Sequence, residues 1–265
     1  MKISLVQHNP QDDLAASLEV LFDNVKRAAE DAPDLIALPE YYAFMGDGSK
    51  TLAASGKRFD DINGQTSELA KSLGIAIHAG SLAETRDDGT FNTTVVHGAD
   101  GSELARYSKI HLFDIDLADG TQFRESDLIC AGSSVETYEL RGWTIGCTIC
   151  YDLRFPELFR QLRDKGAELI MVPAAFMRET GQAHWEVLLR ARAIETGCYV
   201  AAPAQVFSFN GGKGHCYGHS LVCDPWGTVL AQASDTLGFV DARLDKEFLN
   251  NIRNRVPVHR HHMLS

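Results

Sequence analysis

The residues best suited to chemistry lie in one stretch, 142–160, where a cysteine separates a predicted strand from a predicted helix. Large apolar and β-branched residues over 143–149 favour a strand. Pro156 and the apolar residues after it favour a helix. Cys150 is therefore expected at the carboxyl edge of a sheet, where open α/β sheets bind ligands, and near a helix N-terminus that lowers the pKa of a thiol. The Tyr151 backbone N–H follows directly and can face a developing oxyanion.

A nucleophilic thiol needs a base about 3 Å away. None of the ten histidines stands at a strand end beside a suitable acid. Glu40 follows the short apolar strand predicted over 34–38, so its carboxylate is expected at the same kind of sheet edge. Lys109, between Tyr107 and Ile110, supplies a cation that can keep a carboxylate ionised or stabilise an oxyanion. Taken singly, these residues also fit plainer roles, as a core cysteine and as surface ion pairs.

The rest of the chain must position these groups. Strands and helices alternate near both ends, with a hairpin region between them, and this pattern predicts one layered α/β domain spanning 1–265. The predicted strands cover 2–8, 34–38, 75–82, 91–98, 143–149, 167–173, 198–203, 218–223 and 237–244. The predicted helices cover 12–31, 67–73, 181–197 and 246–254, in addition to the one that begins near Pro156. Asp12 or Asp13 is expected to cap the first helix. Residues 209–214 form a glycine-rich segment without a phosphate-binding motif, so a flexible loop is expected there.

Composition excludes several classes of function. The chain of 265 residues is 45% hydrophobic and 23% charged, with a formal net charge of −11. An acidic protein is a poor ligand for nucleic acid or anionic membranes, so we expect neither as a partner. The N-terminal residues alternate as a strand does and lack the features of a signal peptide. The six cysteines show no disulfide spacing, which favours reduced thiols in the cytoplasm.

Three segments carry a resemblance to a known family. They are Leu-Ile-Ala-Leu-Pro-Glu at 35–40, Tyr-Ser-Lys-Ile-His-Leu-Phe-Asp at 107–114 and Ile-Cys-Tyr-Asp-Leu-Arg-Phe-Pro-Glu at 149–157. With the further segments 184–195 and 218–227, they resemble the nitrilase superfamily of carbon–nitrogen hydrolases. The resemblance runs from residue 2 to residue 258 and implies that Glu40, Lys109 and Cys150 form the family's catalytic triad. It also matches Glu125 to a second glutamate that the family uses beside the triad.

The resemblance implies a four-layer α-β-β-α sandwich and a homodimer, without metal or organic cofactor. Glu40 would take the thiol proton, and the thiolate would attack an amide carbonyl. Lys109 and the Tyr151 N–H would hold the oxyanion, and water would then hydrolyse the resulting thioester. The helix after Pro156 and the tail 256–265 are the expected subunit contacts.

Within the family, the chain resembles most the branch of deaminated-glutathione amidases and ω-amidases, with a lean toward the former. It departs from that branch at Gln182, where proline is usual, and in the residues that follow Gln205. A substrate of this branch carries a carboxylate, which an arginine would bind. Arg178 is the preferred candidate and Arg154 the second, because Asp152 is expected to hold Arg154. The other predicted substrate contacts are Phe176, Tyr41 and Gln205.

Other functions stay open on the sequence. A member of the family can transfer the acyl group to an amine instead of water. A Cys-x-x-Cys pair, Cys147 with Cys150, is compatible with redox chemistry, although such pairs act at helix starts and Cys147 is expected inside a strand. The histidines at 259, 261 and 262 can bind metal, but a tail or a subunit contact is the preferred interpretation. Release of ammonia or amine from a panel of amides separates these classes.

Overall fold

The computed structural model describes residues 1–46, 50, 56–116, 122–212 and 214–263. Within these ranges the chain forms two large β-sheets, two small hairpins and five long helices. No helix in the described part is both long and apolar enough to cross a membrane.

The first sheet contains seven strands among the described residues. They are β1 (Lys2–Gln7), β2 (Leu35–Ala37), β3 (Ala76–His78), β4 (Leu82–Arg86), β5 (Gly89–His97), β6 (Glu103–Ser108) and, from the far end of the chain, Gly238–Arg243. The first three strands run parallel, with Leu35 paired to both Ile3 and Ala76. The carboxyl ends of these parallel strands therefore meet at one edge of the sheet.

The second sheet repeats this plan with six strands in the described ranges. In chain order its strands are β9 (Thr137–Leu140), β10 (Trp143–Cys147), β11 (Leu169–Met171), β12 (Tyr199–Ala202), β15 (Leu221–Cys223) and β16 (Val229–Gln232). The intervening hairpins are β7 (Asp114–Asp116) with β8 (Gln122–Arg124), and β13 (Val206–Phe209) with β14 (Gly214–Tyr217). Strand Gly238–Arg243 is β17. The parallel strands β10, β11 and β12 again present their carboxyl ends at one edge.

Five helices cover the outer faces of the sheets in the described part of the chain. They are α1 (Leu14–Ala29), α2 (Phe59–Leu73), α3 (Pro156–Asp164), α4 (Arg178–Thr196) and α5 (Lys246–Arg255). Asp13 caps α1 by accepting a hydrogen bond from the Ala16 N–H, as one of the two predicted alternatives required. Pro156 begins α3, where its missing N–H costs nothing.

Two apolar cores make this arrangement a four-layer α-β-β-α sandwich. One core unites the inner faces of both sheets and continues to Trp185 and Leu189 of α4. The other fills the space between the first sheet and the helices α1 and α2. The predicted fold class is confirmed. The single-domain assignment and the subunit contact of the tail 256–265 stay predictions.

Several element boundaries predicted from the sequence were wrong. Helix α2 begins eight residues earlier than expected, and the strand predicted over 75–82 is two strands, β3 and β4. Strand β10 ends at Cys147, not at residue 149. The strand pairs β7–β8 and β13–β14 were not predicted, although the predicted loop over 209–214 coincides with the connection between β13 and β14. Residues 117–121 and 213 lie outside the described ranges.

Candidate active site

The edge where the parallel strands end brings together the residues singled out by the sequence. Glu40 follows β2, Lys109 follows β6, and Cys150 lies three residues beyond β10. Glu125 begins a 3₁₀ turn, Glu125–Asp127, directly after β8. Four side chains from distant parts of the chain thus converge at one buried point between the two sheets.

Lys109 lies at the centre of this cluster. Its Nζ atom is 3.0 Å from Oε1 of Glu40 and 2.8 Å from Oε2 of Glu125. The side chains of Lys109 and Glu40 are 2% and 3% exposed, and that of Glu125 is 13% exposed. An ammonium group placed between two buried carboxylates offsets part of their negative charge, and each carboxylate needs further hydrogen-bond donors.

Further donors hold the two carboxylates in place. Oε1 of Glu40 also accepts a hydrogen bond from the Asn92 amide at 2.9 Å, and Oε2 accepts one from the Ala175 N–H at 2.9 Å. Glu125 accepts a hydrogen bond from the Phe113 N–H at 2.7 Å. Asn92 lies 3.3 Å from Glu125 as well and therefore bridges both acids.

Two local backbone features let the thiol and the Glu40 segment approach each other. Cys150 has a φ of +45°, which is unusual for a residue with a side chain, and its N–H donates to the Pro173 carbonyl at 2.8 Å. Gly80 has a φ of +38°, and a Cβ there would lie 1.9 Å from the Pro39 carbonyl oxygen. Glycine at position 80 is thus required for the close approach of the chain to the segment that carries Glu40.

The charges of the cluster follow from burial and from its neighbours. Burial and the negative charge of Glu40 raise the pKa of the Cys150 thiol well above its usual value, and the attraction of Lys109 only partly opposes them. The sequence prediction of a lowered pKa for this thiol was therefore wrong, because burial and Glu40 together raise it. The resting thiol is neutral and needs a base to become a nucleophile.

Lys109 and Glu125 stay charged for the opposite reason. Burial alone would lower the pKa of Lys109, but Glu125 and Glu40 outweigh it and raise that pKa well above its usual value. Burial would also raise the pKa of Glu125, yet the charge and hydrogen bond of Lys109 together with the Phe113 N–H lower it overall. Each charge in this cluster therefore depends on its partner.

A cavity of about 320 Å³ opens above the cluster. Glu40, Lys109, Glu125 and Cys150 form its polar end. Aromatic side chains supply much of the wall: Tyr41, Phe113, Phe123, Tyr151, Phe176 and Phe209. A cavity of this size and lining suits a small organic molecule with one polar reacting group.

Three of the residues that the sequence singled out line this cavity. Tyr41 lies beside the acids, with its hydroxyl 3.3 Å from Oε1 of Glu125. Tyr151 packs edge-on against Phe113, with ring centroids 5.1 Å apart. Phe176 is nearly buried and packs against Trp185.

Arg154 is placed differently from what the sequence predicted. Asp152 does not hold it, because both Asp152 oxygens accept hydrogen bonds from Tyr107, His111 and Ile149. The Arg154 guanidinium instead lies over two aromatic walls of the cavity, 5.7 Å from the Tyr151 ring centroid and 5.2 Å from that of Phe176. The argument that disfavoured Arg154 as a carboxylate ligand is thereby removed.

Arg178 and Gln205 lie away from the cavity. Arg178 begins α4 and lines a separate polar cavity of about 310 Å³ together with His215 and His219. Gln205 is fully buried and donates a hydrogen bond to the Glu40 carbonyl at 2.7 Å. Gln205 thus supports the backbone of the Glu40 segment and has no surface with which to contact a substrate.

Asn92 is the residue at this site that sequence reasoning missed. It lies in the middle of β5 and is completely buried. Asparagine is uncommon inside strands, so its presence among β-branched residues was the available signal. No spacing rule connects it to Glu40 or Glu125, which come from other elements.

The described residues contain no group of three or more histidine, cysteine or acidic side chains that could hold a metal ion. In the tail, His262 interacts with Arg160 at 2.8 Å and His259 with Arg163 at 3.4 Å. These contacts place two of the tail histidines beside α3.

A four-layer sandwich with a thiol, an ammonium group and two carboxylates at the meeting edge of its sheets defines a class of protein, the nitrilase superfamily. The chain belongs to the carbon–nitrogen hydrolase family, whose sequence model matches residues 2–254. The resemblance seen in the sequence is thereby confirmed.

Individual relatives agree with this assignment. The chain is 39% identical to the mouse (Mus musculus) protein named deaminated glutathione amidase, over 96% of this chain and 79% of the relative. It is 34% identical to the omega-amidase NIT2 of Xenopus tropicalis, over 98% and 94%. The crystal structure of the Caenorhabditis elegans NitFhit protein superposes with a TM-score of 0.93 at 34% identity. That match covers 98% of this chain and 64% of the NitFhit chain.

Proposed function

We propose that this protein hydrolyses the amide C–N bond of a small carboxylated substrate through a thioester on Cys150, and that deaminated glutathione is its preferred substrate type. The observation that carries the proposal is the Lys109 ammonium, hydrogen-bonded to both Glu40 and Glu125 beside a neutral, buried thiol. This cluster has a nucleophile, a base and a cation within reach of one reacting carbonyl.

In the acylation step, Glu40 takes the proton of the Cys150 thiol as sulfur attacks the amide carbon. The described structure engages two of the three N–H bonds of Lys109, so one is free to donate to the developing oxyanion. The Tyr151 backbone N–H is the second proposed donor. Collapse of the tetrahedral intermediate breaks the C–N bond, and the amine leaves with the proton held by Glu40.

In the deacylation step, a water molecule gives a proton to Glu40 and its oxygen attacks the thioester carbon. The second tetrahedral intermediate expels the Cys150 sulfur, which regains the proton from Glu40. Glu125 is held by Lys109, Asn92 and the Phe113 N–H, so its role is to fix the positions of Lys109 and the substrate. The products are a carboxylic acid and an amine, and the enzyme returns unchanged.

The acyl part of the substrate needs a donor for its carboxylate. We assign this role to Arg154, whose guanidinium lies over the rings of Tyr151 and Phe176, two residues that line the cavity. Its Nη1 and Nη2 atoms lie 3.4 and 3.5 Å from Nδ1 of His184, and the planar guanidinium has further N–H donors suited to bidentate binding of a carboxylate. Arg178, which lines the neighbouring cavity, is the weaker candidate.

Two leaving groups are compatible with the same acyl pocket. Deaminated glutathione releases a Cys-Gly dipeptide, whereas the ω-amides of 2-oxo dicarboxylic acids release ammonia. Similarity to the mouse deaminated glutathione amidase favours the first, and similarity to the frog omega-amidase keeps the second as an alternative. The cavity extends beyond the cluster to Met45, Leu128 and Phe209, which gives a leaving group larger than ammonia apolar surface to contact.

A competition experiment tests this choice. Both substrates are mixed with the enzyme in one tube, and Cys-Gly and ammonia are followed together. The proposal predicts a higher kcat/KM for deaminated glutathione, because binding energy from the leaving group is available only to the larger substrate. A preference for the ω-amide would transfer the assignment to the alternative, and hydrolysis of neither would refute both.

We further propose that the enzyme is a cytoplasmic homodimer. Five of the six cysteines are buried, and all six are unpaired, as expected in a reducing compartment. Val187 and Ile194 of α4 and the nearby Trp226 are each more than half exposed. Such apolar side chains are suited to a contact with a second subunit. Sedimentation of the purified protein at several concentrations tests the dimer.

A further inference from the structure

The two reacting groups of the proposed site are carried by different sheets. Lys109 follows β6 of the first sheet, and Cys150 follows β10 of the second. Sheets that pack face to face are held mainly by the side chains that interdigitate between their inner faces. A small shift of one sheet relative to the other would therefore change the distance from the ammonium group to the thiol.

One buried carboxylate connects these two segments. The Asp152 side chain has no exposed surface. Its Oδ2 atom accepts hydrogen bonds from the Tyr107 hydroxyl at 2.6 Å and the Ile149 N–H at 2.9 Å. Its Oδ1 atom accepts from the His111 N–H at 3.0 Å and lies 2.7 Å from Nδ1 of the same residue.

The positions of these donors are informative. Tyr107 and His111 stand two residues before and two residues after Lys109, while Ile149 and Asp152 flank Cys150. The Asp152 carboxylate thus accepts hydrogen bonds from residues on both sides of Lys109. It also accepts one from Ile149, within the turn that carries Cys150. The His111 ring adds a second link, because it stacks on Phe155 with centroids 3.7 Å apart and planes 6° apart.

The groups that donate hydrogen bonds to Asp152 keep their protons, and they use the full accepting capacity of the carboxylate. Burial and the neighbouring Asp152 charge raise the pKa of Tyr107 well above its usual value, so the phenol keeps the proton that it donates. A fully buried aspartate is rare unless all of its hydrogen-bonding capacity is used. In the described structure four donor groups bind the Asp152 carboxylate, and three of them belong to Tyr107 and His111 in the segment that carries Lys109.

We propose that Asp152 is a positioning residue that fixes the Lys109 ammonium relative to the Cys150 thiol across the two sheets. Asp152 does not line the substrate cavity and acts through Tyr107 and His111. The proposal rests on the proposed amidase function. It adds that loss of the Asp152 hydrogen bonds disturbs the geometry of the reacting groups more than it disturbs substrate binding.

The substitution Asp152→Asn removes the link with little change in volume. An asparagine amide has one accepting oxygen and one donating NH₂ group. In one orientation the NH₂ group faces the Ile149 N–H, and in the other it faces the His111 N–H. Either orientation places two donors together and releases one of the two segments.

The test compares kcat, KM and the alkylation rate of the Cys150 thiol in wild type and Asp152→Asn. A misplacement near 1 Å costs about 100-fold in rate, so kcat is expected to fall about 100-fold while KM stays nearly unchanged. Alkylation by iodoacetamide, resolved to Cys150 by peptide mass spectrometry, should slow as well. Because alkylation needs no amide turnover, it is informative even if the proposed substrate class is wrong.

A milder variant covers the case in which Asp152→Asn does not fold. Tyr107→Phe removes one donor to Asp152 and should lower kcat about tenfold. Tyr138→Phe is the matched control, because the Tyr138 hydroxyl is also buried and also bridges the two sheets, at 3.2 Å from His78. The control should leave kcat and the alkylation rate unchanged.

The results separate the two proposals. An active wild-type enzyme whose kcat responds equally to Tyr107→Phe and Tyr138→Phe would overturn the positioning role and leave the amidase function standing. A parallel rise of KM in Asp152→Asn would do the same, because it indicates general loss of structure. Wild-type protein without amidase activity would refute the proposed function, and the alkylation rates would still decide the role of Asp152.

Discussion

Removal of the central cation, Lys109→Met, should both inactivate and destabilise the protein. Lys109 pairs with two carboxylates at 3.0 and 2.8 Å, and its side chain is 2% exposed. Removal of one partner of a buried ion pair lowers the free energy of unfolding by about 3–5 kcal/mol, because the remaining charge is buried and unpaired. For a domain of this size, about 2 °C per kcal/mol gives a fall in Tm of about 6–10 °C.

The destabilisation should depend on pH with a definite sign. In the wild type, the folded-state pKa of Glu125 is lowered, so its contribution to stability is complete above about pH 5 and is lost as pH falls further. The raised pKa of Lys109 makes its contribution complete below about pH 10. Without Lys109, burial dominates and raises the pKa of Glu125 in the variant. The variant then gains stability as pH falls, so its deficit in Tm should shrink from pH 8 to pH 5.

Thermal unfolding of both proteins at several pH values between 5 and 8 measures this deficit. Lys26→Met is the control, because Lys26 pairs with Asp23 at 3.7 Å on the surface, with both side chains more than half exposed. That pair should contribute almost nothing at any pH. A Lys109→Met variant as stable as the wild type at pH 7, or a deficit that grows on acidification, would refute the reasoning.

Three further outcomes are expected. Cys150→Ala should abolish turnover without unfolding the protein, whereas Cys147→Ala should retain turnover. Equal losses of turnover in the two variants would instead support a redox pair. Glu40→Gln should block thioester formation even from an activated ester, because no base remains to take the thiol proton, whereas Glu125→Gln should still form the thioester from the ester because its base is intact. Stopped-flow acylation measures both, and equal thioester formation in the two variants would contradict the two roles. Arg154→Gln should raise KM for carboxylated amides and leave KM for neutral amides unchanged. An equal rise of KM for both kinds of amide in steady-state assays would contradict the placement of Arg154 in the substrate site.

The sequence alone predicted that Glu40 and Cys150 each lie at the carboxyl edge of a sheet, because both follow short buried strands. The two strands belong to different sheets, and the sandwich that brings the two edges together was implied only by the family resemblance. Lys109 was proposed as a cation from its position between Tyr107 and Ile110, whereas Glu125 was assigned only through the family resemblance. Lys109 directly follows β6 and Glu125 directly follows β8, and the local pattern did not reveal the hairpin that carries Glu125.

The surroundings of the site could not be predicted in the same way. Arg178 and Gln205 both follow strands, yet one faces a neighbouring cavity and the other is buried behind Glu40. The pKa of Cys150 depends on total burial, which a local helix-terminus argument does not capture. Two of the three residues that donate to Asp152, Tyr107 and His111, are 45 and 41 residues away in the chain, so the sequence could not show that Asp152 leaves Arg154 unbound.

Detection of the acyl-enzyme tests the central claim most directly. The enzyme is mixed with excess deaminated glutathione, quenched in acid within one turnover, and digested for mass spectrometry. The account predicts a mass increase equal to the acyl group on the peptide that contains Cys150, and no increase in Cys150→Ala. Turnover without any adduct, or an adduct on another of the six cysteines, would contradict it.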